Sequence, residues 1–280
     1  MSFVEKLIVF LNTSGEKPTV FGMYHIVSLV IIAAIIAALC VFAKNSSKKA
    51  VVNTVLFTAV AVIILEIYKQ INYTFRMEDG VLITDYQWYA FPFQFCSTPM
   101  YVGLLAGLVK KGKLHDSLCA YLATFAIFAG LAVMLVPGDV FIEILGVNVQ
   151  TMICHGSMLT IGIYLYATGH VKLSHKTILK ALPVFAITVG MAMIMNEVFY
   201  RSGIVGEEAF NMFYISPYFE NFLPIYSDIH RAVPAPWNIV IYIAGFTAAA
   251  YVMLLLAMLI GLICRVIARK LRKNSQPLAV

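Results

Sequence analysis

Charge is scarce in this 280-residue chain: 12% of its residues are charged and 61% hydrophobic, with a mean hydropathy of +0.87. An ordinary soluble domain carries about 25% charged residues, so a soluble enzyme is excluded. Cysteine is sparse as well. Of the five, Cys40, Cys119 and Cys264 fall toward one set of apolar-run ends, and Cys96 and Cys154 toward the other, which gives no extracellular disulfide framework. There is no His-Glu-x-x-His and no pair of histidines four apart inside an apolar run. Two His and two Glu would suffice for a metal, but the spacing signal is weak, and neither metal nor cofactor is assigned. The last apolar run has no lysine for a Schiff base, which argues against an opsin-like pigment.

What the chain has in quantity is long apolar runs. Stretches of about 20 apolar residues, the length that crosses a bilayer, occur near Phe21–Ala43, Ala50–Tyr73, Phe91–Val109, Ser117–Val136, Val149–Thr168, Thr177–Tyr200 and Pro236–Val266. The fold class expected is an all-α membrane protein of seven transmembrane helices. The net charge of +6 and pI near 9.0 come from short clusters between these runs, so they report topology and not nucleic-acid binding. One set of connections holds Lys44, Lys48, Lys49; Lys110, Lys111, Lys113; Lys172, Lys176, Lys180; and Arg265, Arg269, Lys270, Arg272, Lys273. The other carries most of the carboxylates. The positive-inside rule then puts the N-terminus outside and the C-terminus inside.

A single polytopic domain over 1–280 follows, placed in the cell membrane. Residues 1–20, with Val4, Leu7, Ile8 and Leu11 at helical spacing, read as an outer interfacial helix. A signal peptide fits poorly, because the apolar core there falls short of the expected 7 to 15 or so residues. Residues 201–235, rich in aromatics and too apolar for a linker, read as a packed outer lid, and 267–280 as a cytoplasmic basic tail. Asn12-Thr13-Ser14 and Asn72-Tyr73-Thr74 are outward sequons, usable only in a secretory-pathway host.

Polar residues inside the runs are expensive and mark function by default. His25, Glu66 with Lys69 and Gln70, Gln94 with Cys96, His155, and Asn196 with Glu197 all fall toward the same end of their runs, as they would around one outward-opening cavity. There is an internal echo: His25 precedes Glu66 by 41 residues and His155 precedes Glu197 by 42. Parallel triple-helix repeats in a three-plus-one-plus-three arrangement follow, facing each other across a cavity holding both His–Glu pairs. Blander readings stand beside these. A lone His in an apolar helix is commonly a satisfied hydrogen-bonding residue; Glu66 with Lys69 and Glu197 with Arg201 are ordinary helix ion pairs by spacing. Cys96 differs from the other thiols by its company, following Pro92 and Gln94 near a helix start, where the dipole favours a thiolate.

Phe21-Gly-Met-Tyr-His25, Glu66 with Lys69, Pro92-Phe-Gln-Phe-Cys96, His155-Gly156 and Asn211-Met-Phe-Tyr214 together resemble the YwaF-like bacterial integral membrane proteins, related to the eukaryotic transmembrane-164 acyltransferases. The resemblance runs over nearly the whole chain in order and spacing. It implies transfer of a fatty acyl chain between phospholipids without coenzyme A, through Cys96 with His155 assisting. One departure stands out: the family pattern is closer to Pro-Leu-His-Leu-Cys, and here Gln94 replaces the histidine. An amide can donate to an oxyanion but cannot act as a base.

The enzyme reading is a membrane lipid transacylase or acyl hydrolase of the outer leaflet. Cys96 attacks the ester and His155 moves the proton, while Gln94 or Asn196 stabilises the oxyanion. Glu66 and Glu197 orient the histidines, His25 included, and Lys69 and Arg201 meet the phosphate. The partners are then phospholipid or lysophospholipid. The alternative is a small-molecule carrier of the three-plus-one-plus-three kind, which needs no nucleophile. Pro-Gln pairs of the PQ-loop type are absent, and the polar residues cluster at one side only, which favours the enzyme.

Overall fold

The computed structural model describes residues 1–43 and 45–274. Lys44 and 275–280, parts of the lysine clusters and basic tail above, lie outside the described residues, as do the side chains of Arg269, Arg272 and Lys273. Among the described residues the regular structure is helical apart from one two-stranded hairpin. Helix α1 (Phe3–Leu11) starts in a capping box, in which Ser2 Oγ accepts from Glu5 N at 3.2 Å and Ser2 N donates to Glu5 Oε2 at 2.7 Å. Then come α2 (Met23–Ala43), α3 (Lys48–Asn72), β1 (Phe75–Glu78), β2 (Val81–Thr84), α4 (Thr98–Val109), α5 (Gly112–Leu122), α6 (Phe125–Leu135), α7 (Leu145–Ala167), α8 (Lys176–Ser202), α9 (Tyr226–Ala232) and α10 (Trp237–Asn274). The hairpin turns at Asp79-Gly80, both at positive φ (49° and 78°), the geometry that Asp-Gly supplies with least strain.

Five stretches among the described residues are long and apolar enough to cross a membrane: Met23–Ala43, Lys48–Asn72, Gly112–Leu135, Lys176–Ser202 and Trp237–Ile267. Seven were expected, and the two that differ do so for separate reasons. The run at 91–109 is helical only from Thr98, because Pro92 and the turn at 94–97 unwind its first part. That leaves α4 with 12 residues, about 18 Å against a hydrocarbon core of about 30 Å. Helix α7 is long enough at 23 residues but carries Asn148, Gln150, Thr151 and His155, all buried. It packs against α2, α3 and α6, and protein instead of lipid surrounds its polar groups. The run expected at 117–136 is broken between α5 and α6 at Ala123 and Thr124, both buried. Irregular backbone is tolerated at that depth where it is enclosed by protein.

Helices α2 and α10 are apolar and mostly exposed, the property of a lipid-facing helix. The interior is aromatic. Phe125 and Phe185, both fully buried, stack with centroids 4.3 Å apart, and Phe95 meets Phe246, Phe185 and Phe213 at 5.2, 5.4 and 5.7 Å. Such contacts add about 0.5–1.5 kcal/mol each beyond area burial.

Two ends of the bundle are tied separately. At the lysine-rich end, Tyr164 Oη donates to Ser46 Oγ at 2.9 Å, and Lys180 Nζ meets Asp116 Oδ2 at 3.0 Å. At the carboxylate-rich end, Tyr68 Oη donates to Leu11 O at 2.8 Å, and Trp88 N donates to Glu208 Oε2 at 2.8 Å.

Candidate functional site

The best-built polar centre lies at the carboxylate-rich end around Glu66, which is 6% exposed. Three donors converge on its carboxylate. Lys69 Nζ lies 2.7 Å from Oε1, Gln70 Nε2 donates to Oε1 at 2.8 Å, and Gln150 Nε2 reaches across from α7 to Oε2 at 3.1 Å. The spacing from 66 to 69 and 70 puts both neighbours on one face of α3. Gln70 also donates to Ala90 O at 2.9 Å and accepts from Tyr86 Oη at 2.6 Å, and Gln150 approaches Cys154 Sγ at 3.3 Å. A buried carboxylate survives because charge and hydrogen bonds are supplied together. Gln70, Tyr86 and Gln150 belong to this centre. The signal for Gln150 was a polar side chain at the start of an apolar run, four residues before Cys154.

Cys96 is partly buried in the turn at 95–97 that leads into α4. It lines a small cavity of about 30 Å³ between α3, α4 and α7, together with Thr58, Ala59, Gly103, Cys154, Ser157 and other apolar residues. Gly103 makes this packing close, since a Cβ there would sit 3.2 Å from that of Ala59. His155 is 7% exposed. Its Nδ1 lies 2.7 Å from Thr151 O, so Nδ1 carries the proton, and Nε2 is a buried lone pair with no partner among the described residues. Among the described residues no hydrogen bond joins Cys96 to His155.

The two amides expected at an oxyanion act in concert on the segment at 211–213. Gln94 Nε2 donates to Asn211 O at 3.0 Å and its Oε1 accepts from Phe213 N at 2.9 Å. Asn196 Nδ2 donates to Met212 O at 3.0 Å and its Oδ1 accepts from Met212 N at 2.8 Å. Together they clamp the short turn at 212–214, where Phe213 and Tyr214 stand at positive φ (60° and 56°). Each amide spends its oxygen and one of two N–H donors there, so an oxyanion would take the second. Phe210, Met212, Phe213 and Ile215 are buried, and the aromatic segment packs against Trp88, Phe91 and Phe199.

The two His–Glu pairs do not form as pairs. His25 is fully buried with both nitrogens used, Nδ1 accepting from Phe21 N at 2.9 Å and Nε2 donating to Met134 O at 2.8 Å. It ties the start of α2 to the end of α6 and has no nitrogen left for Glu66. Glu197 binds Arg201 and accepts from Tyr218 Oη at 2.6 Å. Its side chain is 41% exposed and that of Arg201 74%. Neither carboxylate orients a histidine: Glu66 is held by Lys69 and two amides, and Glu197 sits at the surface, where an arginine and a phenol satisfy it.

Apolar helices long enough to cross a membrane, packed around a charged centre with a thiol and an imidazole nearby, define a polytopic helical membrane protein. Sequence comparison adds the family. The chain belongs to the TMEM164 family, whose model matches residues 20–259 and so covers every residue of this site. No curated protein and no solved structure matches the chain.

Proposed function

We propose that the protein is a membrane lipid transacylase working through a Cys96 thioester at the outer face of the cell membrane, with phospholipid and lysophospholipid as donor and acceptor. The observation that carries this is the buried, unpartnered Nε2 of His155, a lone pair left open by the proton that Thr151 O holds on Nδ1. A buried polar atom left unsatisfied costs about 1–3 kcal/mol, a cost an idle structural histidine would avoid.

In this reading His155 Nε2 takes the Cys96 proton as sulfur attacks the ester carbonyl. The C–O bond breaks, the leaving lysophospholipid hydroxyl recovers the proton, and the acyl group stays on sulfur. A second lysophospholipid hydroxyl reverses the sequence, so no coenzyme A is required. The free N–H groups of Gln94 and Asn196 serve the oxyanion, and Lys69 and Arg201 the phosphate. The apolar cavity beside Cys96 holds about one water-sized group as it stands, so the acyl chain enters as α3, α4 and α7 part. The seven-helix, N-outside arrangement belongs to this proposal. In it the turn at 91–97 with α4, together with α7, makes up the seven, and the described lysines at the starts of α3, α5 and α8 lie at the end away from Cys96.

The test is intact-protein mass spectrometry after incubation with phospholipid in detergent. A fatty-acyl mass that hydroxylamine removes, present on wild type and absent from Cys96→Ala, is expected. The His155→Ala protein should acylate at least about 100-fold more slowly. If wild type carries no adduct and the phospholipid stays intact, the site is a recognition cavity and the carrier reading takes over.

A further inference from the structure

The opposite, lysine-rich end carries a second cluster that the acyl-transfer reading does not use. His115 and Cys119 lie four residues apart on one face of α5, and His170 reaches them from the loop between α7 and α8. One ligand-type atom from each lies within 4.8 Å of the others. His115 Nε2 is 2.8 Å from His170 Nε2 and 3.5 Å from Cys119 Sγ. Among the described residues, these three are the sole group of His, Cys, Asp or Glu with that closeness.

We infer that His115, Cys119 and His170 form a binding site for a borderline-soft divalent metal ion of the zinc class. The geometry is close to the one such an ion imposes. Metal–nitrogen distances of about 2.0–2.1 Å and a metal–sulfur distance of about 2.3 Å in a tetrahedron place two nitrogens about 3.3 Å apart, and nitrogen and sulfur about 3.5 Å apart. The sulfur–nitrogen spacing already fits. The two imidazoles need to separate by about 0.5 Å, and His170, the one part-exposed member, can give that from its loop.

The surroundings agree. His115 Nδ1 lies 2.9 Å from Ala106 O of α4, which fixes the proton on Nδ1 and turns the Nε2 lone pair toward the cluster. Ligating histidines are held in this way by an outer carbonyl or carboxylate. Without an ion, two buried or half-buried imidazole nitrogens face each other and must share a single proton. With one, both lone pairs are satisfied. The His170 proton moves to its Nδ1 and the Cys119 thiol proton goes to solvent, so one proton leaves per ion bound. Two imidazoles and a thiolate suit zinc over the hard cations magnesium and calcium. The fourth position is left to water or an exogenous ligand on the side of His170. The ion would staple α5 to the loop between α7 and α8.

The test uses the full chain without a polyhistidine tag, in detergent, stripped with a chelator and titrated with Zn²⁺ alone. Equilibrium dialysis with elemental analysis is expected to give one zinc per chain. Cys119→Ser and His170→Gln should each weaken it by more than the about 10- to 100-fold that loss of an outer-shell partner costs. Zinc should raise the melting temperature of wild type and leave that of the variants unchanged. Cys119 is buried, so if its replacement unfolds the chain, Co²⁺-loaded wild type decides: a tetrahedral site with thiolate shows charge-transfer and ligand-field bands. Failure of wild type to bind zinc, absence of those bands, or undiminished affinity in folded His170→Gln would overturn the proposal. None of these readouts depends on acyl transfer.

Discussion

Close approach of α6 to α7 makes Gly130 a sensitive probe of how His155 is held. A Cβ added at Gly130 would lie 2.8 Å from His155 O and 2.9 Å from Met158 Cβ. Carbon atoms pack at about 3.5–4.0 Å, so the two helices must part by about half an ångström or more. The first atom met is backbone and cannot rotate away. Overpacking of this kind costs about 1–3 kcal/mol, several degrees in melting temperature. Gly190 in α8 and Gly245 in α10 are the controls, since an added Cβ meets nothing within 4 Å at either. There alanine should stabilise by about 0.5–1 kcal/mol through its lower backbone entropy. Thermal unfolding in detergent, followed by circular dichroism, should give opposite signs for Gly130→Ala and for the other two. The displacement falls on the His155 carbonyl, so Gly130→Ala should also slow acylation of Cys96. Equal effects at all three glycines would refute the reasoning, because helix propensity alone would then govern them.

Three further outcomes test other parts of the structure. Lys69→Met leaves the Glu66 carboxylate with two amide donors and no cation; a broken buried pair costs about 3–5 kcal/mol, the retained amides favour the low end, and Glu66→Gln in the same chain should restore denaturant stability. The Tyr86 hydroxyl is pushed up to about 12 by its burial and then by the Glu66 charge, from an ordinary value of 10.0. Its neutral form is therefore favoured in the fold, and the stability it contributes, intact below pH 10, is lost as pH rises toward 12; Tyr86→Phe should flatten that alkaline limb. Gln94→Leu removes both hydrogen bonds to Asn211 and Phe213, about 2 kcal/mol together, so limited proteolysis of the 203–225 segment should quicken about 30-fold; an unchanged rate would mean that packing alone holds the lid.

Apolar runs announced most helices to within a few residues, because lipid imposes one length and one composition. They failed where the chain is enclosed by protein. Pro92 was visible, but how far it unwinds the next turn was not, and Thr98-Pro99 marks the real start of α4. The kink at Thr124 has no proline or glycine to betray it. Asp79-Gly80 between Phe75–Glu78 and Val81–Thr84 did advertise a hairpin, a two-residue turn signal easily passed over inside a loop. Glu66, Lys69, Cys96 and His155 stood out in the sequence because charge, thiol and imidazole are rare in an apolar run, and the fold pairs the first two. Near-equal sequence offsets do not fix environment, and so His25 and Glu197 echo their counterparts in spacing while one is a sealed tie and the other a surface pair. The His115-x-x-x-Cys119 spacing was present too, but its third member comes 51 residues later, and only the fold joins them.

The burial of α7 bears on how this protein enters a membrane. A translocating helix is sorted by its own free energy of transfer, and Asn148, Gln150 and His155 count heavily against α7 when it stands alone. Its neighbours α2, α3 and α6 are apolar enough to partition unaided or in concert. Glu66 supplies the acceptor that Gln150 needs, and that acceptor is in the bilayer only after α3 has inserted. On the proposed seven-helix arrangement the polar centre is therefore also an assembly instruction: α7 is expected to settle in the bilayer only once α3 has brought Glu66 there.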